Sequence, residues 1–244
     1  MLRGMDWRRV WLGVAELGMA MAGLVIGQVV VGAVFGVVDP GALYLSGGVL
    51  ATAVAAAFYG WVGPRWAEAT RDGVDAPEPA AQLPTPSRSW GRVAAMVMVG
   101  IVVALVGSIT LGVILDAVGL GVQEQSSVVK IAEDARGGGP IDEAIVLAVS
   151  ALLMAPVAEE WLFRRLLFVR LMATTGRGFA YLVSALAFAA IHGNPAGIVI
   201  YLWLGLVFAA VLAVTGRWWA AAAVHMGNNG YVLAVLFFGV GPQA

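Results

Sequence analysis

Residues 156–167 read PVAEEWLFRRLL and place four formal charges inside a long apolar stretch. The charges come in two adjacent pairs, Glu159 with Glu160 and Arg164 with Arg165. An ionisable side chain at bilayer depth costs roughly 3 kcal/mol or more, so it is retained where it has a partner or a task. The stretch therefore predicts a membrane-embedded helix that carries a polar site.

The composition of the whole chain predicts a membrane protein. Of its 244 residues, 61% are hydrophobic and 12% are charged, and the mean hydropathy is +0.89. Soluble domains usually contain about 25% charged residues. The net charge of −1 gives no field that would attract nucleic acid, so no nucleic-acid partner is expected. The absence of cysteine excludes disulfides, thiolate catalysis and cysteine-based zinc or iron–sulfur sites.

The apolar segments predict an all-α polytopic transmembrane helix bundle of about seven to eight spans, since one span needs roughly 20 apolar residues. Breaks are expected at 39–41, at Gly63-Pro64, and at Gly176 and Gly178, with an interruption of the fourth segment at Pro156. The seven segments cover about 10–38, 42–62, 91–120, 144–175 and 179–191, followed by two that end near residues 214 and 240. An eighth, short helix is possible within 123–136.

These segments predict four regions along the chain. An N-terminal two-span segment covers 1–63, and a polar, proline-rich cytoplasmic linker covers 64–90. A third span with an extracytoplasmic loop occupies 91–143, and the candidate catalytic core occupies 144–240.

The distribution of arginine predicts the orientation of the bundle. If the spans alternate, the side opposite to the arginines holds six acids with only Lys130 and Arg136. Cytoplasmic loops are enriched in Arg and Lys, so the N-terminus is expected in the cytoplasm, in a multi-pass protein of the bacterial inner membrane. Arg165 and Arg170 are expected to sit at the membrane interface, with Arg165 as an anchor on the cytoplasmic side. The eleven arginines on the predicted cytoplasmic side are Arg3, Arg8, Arg9, Arg65, Arg71, Arg88, Arg92, Arg165, Arg170, Arg177 and Arg217.

Polar groups suited to catalysis are concentrated near the C-terminus. Both histidines and all three asparagines lie between 192 and 229: His192, Asn194, His225, Asn228 and Asn229. The i, i+4 spacing of His225 and Asn229 lets both side chains face one cavity, and Phe188 and His192 repeat that spacing.

The charged pairs in the fourth segment predict two different environments. Glu160 and Arg164 are four residues apart, in the order that favours an ion pair on one helix face. Glu159 lies about 100° around the helix from Glu160, so it is free to face a cavity as a general base. Taken alone, the ion pair is typical of a structural role, and Glu159 is equally typical of a glutamate that reaches toward the headgroups. We expect Glu16 to make a hydrogen bond in helix packing and Asp116 to be an interfacial acid.

Three motifs resemble those of a known family. The stretches EEWLFR (159–164), FAAIH (188–192) and HMGNN (225–229) are similar to the EExxxR, FxxxH and HxxxN/D motifs of the CAAX protease and bacteriocin-processing (CPBP, or Abi) family of intramembrane proteases. The motifs occur in the family's order on separate apolar segments. The resemblance covers about 144–238.

The resemblance implies a glutamate-dependent intramembrane endopeptidase. It implies that Glu159 activates water with the help of His192, while His225 and Asn229 stabilise the oxyanion. Glu160 and Arg164 would form a supporting ion pair, and Phe188 would be a further supporting residue. The expected substrate is a membrane peptide or a lipid-anchored protein, in contact with membrane lipids. No cofactor is expected, although zinc held by Glu159, His192 and His225 is the alternative.

Two other classes of function stay open at this stage. The chain could be a non-catalytic bacteriocin-immunity or scaffold protein of the same family. It could also be a small proton-coupled transporter in which Glu159, His192 and His225 relay protons. Other intramembrane protease chemistries fit poorly, because the sequence contains no HExxH, GxGD or GxSxG motif.

Overall fold

The computed structural model describes residues 7–35, 40–69, 83, 85–86, 89–122 and 126–239. These residues form eight helices and no strand, which confirms the all-α prediction. The helices are α1 (Trp7–Phe35), α2 (Pro40–Ala69), α3 (Trp90–Ala117), α4 (Ser126–Arg136), α5 (Ile141–Thr174), α6 (Arg177–Ile191), α7 (Ile198–Thr215) and α8 (Trp218–Phe238).

Five helices in the described residues, α1, α3, α5, α7 and α8, are long and apolar enough to cross a membrane. The 30-residue α2 and the shorter apolar α6 occupy the second and fifth predicted segments, and α4 is the short helix predicted within 123–136. Helix α3 exposes Met98, Val102 and Val106 by more than half of their surface. A large apolar surface of this kind is stable against lipid, not water. The chain therefore folds as a helical membrane bundle.

The prediction that Gly63-Pro64 ends the second span was wrong. Helix α2 continues through Pro64 to Ala69. A proline removes one backbone hydrogen bond, and near a helix end this loss is small compared with the packing of α2 on α1 and α5. The predicted boundary between 1–63 and 64–90 thus falls inside a helix. Most of the predicted linker, and the predicted break at Asp39, lie outside the described residues.

Helix α5 passes Pro156 without ending, because a π-helical turn from Ser150 to Met154 precedes the proline. In this turn the Ala155 N–H donates to the Ser150 carbonyl, five residues back. The same register would pair the nitrogen of Pro156 with the Ala151 carbonyl, but proline has no N–H to donate. The Ala151 carbonyl is therefore left for another donor. A second π-helical segment, Trp161–Phe168, follows the two glutamates.

Glycines in the left-handed region connect the C-terminal helices. Gly176 (φ 96°) separates α5 from α6, and Gly216 (φ 67°) ends α7 before α8. Other residues rarely adopt these backbone angles, which allow the chain to reverse direction within a few residues. Gly178 was also predicted to be a break, but it lies inside α6.

A buried polar cluster holds the N-terminal helix pair against α5. The Glu16 carboxylate accepts two hydrogen bonds from Arg170, each 2.7 Å long, and one from the Tyr59 hydroxyl at 2.5 Å. Arg170 also donates to the Gly63 carbonyl at 2.7 Å, and a Cβ at Gly63 would lie 2.9 Å from the guanidinium carbon. The expected packing hydrogen bond of Glu16 is confirmed. Arg170, which was expected at the membrane interface, has its side chain bound within the bundle.

We predict that Glu16→Gln destabilises the protein by about 3 kcal/mol, because it removes one partner of a buried charged pair and leaves the Arg170 guanidinium uncompensated. The measurement is the thermal or chemical unfolding of the purified protein in detergent. Glu68→Gln is the matched control, since it removes the same charge from an exposed position near the end of α2. Equal stability of the two variants would contradict the prediction.

Candidate active site

The centre of the site is a buried ion pair on α5. The Nε atom of Arg164 lies 3.0 Å from Oε2 of Glu160, and both side chains are fully buried. The second carboxylate oxygen of Glu160 lies 3.3 Å from Nδ1 of His225 on α8. The ion pair expected from the i, i+4 spacing is thus present, and it also contacts a histidine that is 65 positions further along the chain.

Aromatic rings surround the Arg164 guanidinium. Its central carbon lies 4.6 Å from the ring centroid of Phe188 and 5.5 Å from that of Phe208. Among the described residues, its Nη1 and Nη2 atoms have no hydrogen-bond partner. The ring faces therefore supply the favourable electrostatic environment that water would otherwise provide. Phe188 also contacts both histidine rings, with centroid distances of 4.7 Å to His192 and 5.7 Å to His225.

Glu159 lies beside this pair but faces a different environment. Its side chain lines a cavity of about 400 Å³, and its Oε2 atom is buried without a hydrogen-bond partner among the described residues. The two adjacent glutamates thus face different surroundings, as their angular separation predicted. At ~30 Å³ per molecule, the cavity has room for on the order of ten waters. A carboxylate oxygen in such a cavity is available to a water or to a substrate.

His192 lies at the C-terminal end of α6 and lines the same cavity. Its Nδ1 atom is 2.8 Å from the Phe188 carbonyl oxygen. Because a carbonyl oxygen can only accept, Nδ1 carries the hydrogen, and Nε2 of the neutral ring is left as an acceptor. The ring stacks on Tyr201 at a centroid distance of 4.0 Å. These two contacts fix both the tautomer and the plane of the imidazole.

His225 and Asn229 lie one turn apart on α8 and both line the cavity, as their spacing predicted. The His225 ring stacks on Phe208, with centroids 4.6 Å apart. The Nδ2 atom of Asn229 donates to the Ala151 carbonyl at 2.9 Å. This is the carbonyl that Pro156 leaves without a partner in the π-helical register, so the proline in α5 and the asparagine in α8 complement each other.

Four residues that line the cavity or stack on a histidine ring were not predicted as site residues from the sequence. Asn228 is buried and lines the cavity, with its Nδ2 3.4 Å from the Asn229 side-chain oxygen. Tyr201 and Ser150 also line the cavity, and Phe208 stacks on His225. The tyrosine lies nine residues after His192 in a new helix, so only the three-dimensional packing reveals its contact. Among these four residues, only Asn228 had a signal in the sequence, because it directly precedes Asn229 of the third motif.

The described residues contain no group of three His, Cys, Asp or Glu side chains arranged to hold a metal ion. Glu159, His192 and His225, the ligands of the zinc alternative, line one cavity but do not form such a group. No step below depends on a metal.

We predict that Arg164→Met destabilises the protein by about 3–5 kcal/mol, because it leaves the buried Glu160 carboxylate without its cationic partner. The double variant Glu160→Leu/Arg164→Met should recover much of this loss, since it removes both charges. Unfolding in detergent measures all three forms, and Arg165→Met, at an exposed position, is the control. A double variant that is no more stable than Arg164→Met would contradict the coupling of the pair.

Comparisons with known proteins agree with the motifs. Residues 141–231 match the model of the family described as "Type II CAAX prenyl endopeptidase Rce1-like". A Bacillus subtilis protein named "Putative membrane peptidase YdiL" is 28% identical over 88 residues, which are 36% of this chain and 36% of that protein. The chain thus matches about a third of the length of this relative, and no solved structure matches it significantly. The matched segment carries Glu159, His192, His225 and Asn229, and it is similar to the Rce1-like family of endopeptidases.

Proposed function

We propose that the protein is an intramembrane endopeptidase that hydrolyses a peptide bond in a membrane-associated peptide or protein through a water activated by Glu159 and His192. The observation that carries the proposal is the cavity around Glu159. It brings a carboxylate oxygen that has no hydrogen-bond partner among the described residues together with two imidazoles and two amides inside an apolar bundle. The match of residues 141–231 to a family of endopeptidases supports the same chemistry.

The first step is the attack of water on the scissile carbonyl. Glu159 accepts one proton as the water oxygen bonds to the carbonyl carbon, and Nε2 of His192 accepts a hydrogen bond from the other O–H. Both acceptors line the cavity, and the hydrogen bond of His192 Nδ1 to a backbone carbonyl favours the tautomer that this role needs. The products of this step are a protonated Glu159 and a tetrahedral oxyanion.

The second step requires donors near the oxyanion. Asn229 uses one N–H for the Ala151 carbonyl and retains a second on the same nitrogen. His225 offers Nε2, which can donate when the ring is doubly protonated beside the Glu160 carboxylate. The C–N bond then breaks, and Glu159 returns its proton to the leaving amine. Atoms and charge balance without a co-reactant other than water.

The Glu160–Arg164 pair acts in this scheme as a positioning element. It holds His225 through the second carboxylate oxygen and holds Phe188 through the guanidinium. Phe188 in turn presents its carbonyl to His192. One buried pair therefore orients both imidazoles, which explains why charges that do not contact substrate are retained inside the membrane.

We predict that Glu159→Gln lowers the rate of peptide cleavage by at least about 10²-fold, the usual contribution of a general base, while leaving the fold intact. Initial rates with a quenched fluorescent peptide library and purified protein in liposomes give the measurement. Glu143→Gln is the matched control, since it makes the same substitution at an exposed position of α5.

Retention of the wild-type cleavage rate by Glu159→Gln would contradict the proposed base. Proton-coupled uptake of a solute into the same liposomes, lost in Glu159→Gln, would instead favour the transporter alternative. An unchanged phenotype of Glu159→Gln in cells would favour the scaffold or immunity alternative.

We further predict that cleavage is independent of metal. Extensive dialysis against a chelator should leave the initial rate unchanged, because the proposed water is activated by Glu159 and His192, and the described residues contain no group of three metal-ligating side chains. Elemental analysis of the active protein checks that no transition metal is retained. A rate that falls on dialysis and returns with added zinc would overturn this part of the proposal.

A further inference from the structure

The two ends of the bundle carry opposite charge. In the described residues, one end holds the arginines Arg8, Arg9, Arg65, Arg92, Arg177 and Arg217, and we call it the arginine end. The other holds five acids with only Lys130 and Arg136, and we call it the acidic end; its acids are Asp116, Glu133, Asp134, Asp142 and Glu143. Three further arginines of the sequence, Arg3, Arg71 and Arg88, lie outside the described residues.

Contacts between helices bring together the helix ends that carry these arginines. The start of α3 meets the start of α8, where Trp90 stacks on Trp219 at 5.7 Å and lies 5.3 Å from the Arg217 guanidinium. The end of α2 meets the end of α5 through the hydrogen bond of Arg170 to Gly63. A Cβ built on Gly13 of α1 would lie 2.6 Å from Thr175, at the turn between α5 and α6.

Contacts also bring together the helix ends that form the acidic end, and the cavity extends toward them. A Cβ on Gly197 would lie 3.1 Å from Val122, and one on Gly239 would lie 3.8 Å from Arg136. The cavity is lined by residues near this end of several helices. They are Val122 after α3, Val128 in α4, His192 at the end of α6, Tyr201 near the start of α7 and Leu233 near the end of α8. None of the arginines that the structure describes lines it. The cavity therefore runs from Glu159 in the middle of α5 to the acidic end.

We infer that the cavity opens on the extracytoplasmic face and that the cleaved peptide segment is presented from that side. Clusters of Arg and Lys remain in the cytoplasm during membrane insertion, which places the arginine end inside and the acidic end outside. The substrate is then the extracytoplasmic or juxtamembrane part of a membrane peptide or protein. The substrate half of this inference rests on the proposed endopeptidase function, whereas the sidedness of the cavity does not.

Helix α4 lies beside the cavity at the acidic end. It contacts both α5 and α8, with Ala132 buried and Val128 in the cavity lining, while Lys130, Glu133 and Asp134 are exposed. A substrate that enters at the acidic end must therefore pass beside α4. This makes Val128 a reporter position for the entry route.

The absence of cysteine allows the sidedness to be tested with single cysteines. Gly137→Cys follows α4 at the acidic end, and Gly178→Cys lies in the first turn of α6 at the arginine end. Both glycines are exposed, neither has a positive φ, and an added Cβ meets no atom closer than 3.5 Å. Neither substitution changes the charge of the chain, so the distribution of arginines that sets the orientation is the same in both variants.

A membrane-impermeant maleimide added to intact spheroplasts should label Gly137→Cys, and it should label Gly178→Cys only after the membrane is permeabilised. The opposite pattern would overturn the inference. Labelling of both variants in intact spheroplasts, which indicates mixed orientations, would overturn it as well. This readout needs no activity, so it stands even if the proposed hydrolysis fails its own test.

The entry route is tested with Val128→Cys in right-side-out liposomes or spheroplasts. External addition of a bulky impermeant maleimide should abolish most of the cleavage activity of Val128→Cys relative to its own unlabelled form. The same treatment of Gly178→Cys should cause no loss. Full labelling of Val128→Cys without inhibition would overturn entry beside α4, while leaving the labelling result for the two ends intact.

Discussion

The buried contact between Glu160 and Arg164 is the constraint on which the rest of the site depends. Two opposite charges, 3.0 Å apart and fully buried, must be compensated by their surroundings, because desolvation of such a pair is costly. The compensation comes from His225 on one side and from the faces of Phe188 and Phe208 on the other. These partners lie on α6, α7 and α8, so the pair on α5 fixes how all three helices pack around it.

The irregularity of α5 is the second physical feature of the site. The π-helical turn before Pro156 leaves the Ala151 carbonyl without an intrahelical donor, and Asn229 supplies that donor from α8. Single π-helical turns often occur at functional sites because they expose backbone groups that a regular helix would satisfy. Here the exposed carbonyl orients an amide that lines the same cavity as Glu159. The backbone defect and the candidate catalytic amide are thus parts of one arrangement.

The N-terminal helices, which lie outside the family match at 141–231, are joined to the core by polar chemistry. Glu16 on α1, Tyr59 on α2 and Arg170 on α5 form a cluster that crosses three helices. The hydrophobic effect hardly favours contact of an apolar helix with another helix over contact with lipid. Hydrogen bonds and close packing therefore determine how such helices dock. The cluster lies less than two turns beyond Arg164 on α5, and it therefore restrains the helix that carries both glutamates.

The sequence by itself determined the helical membrane fold and the order of the helices, because apolar segment length is a local property of the chain. The i, i+4 spacing also placed His225 and Asn229 on one helix face, whereas the expectation that Glu159 and His192 share their site came from the resemblance of the three motifs. The sequence also predicted that Glu159 and Glu160 face different surroundings. Only the tertiary structure decided the contact of His225 with Glu160, the stacking of Tyr201 on His192 and the pairing of Arg170 with Glu16. Each of these joins residues on different helices, and no local pattern specifies which helix faces meet once every helix is apolar.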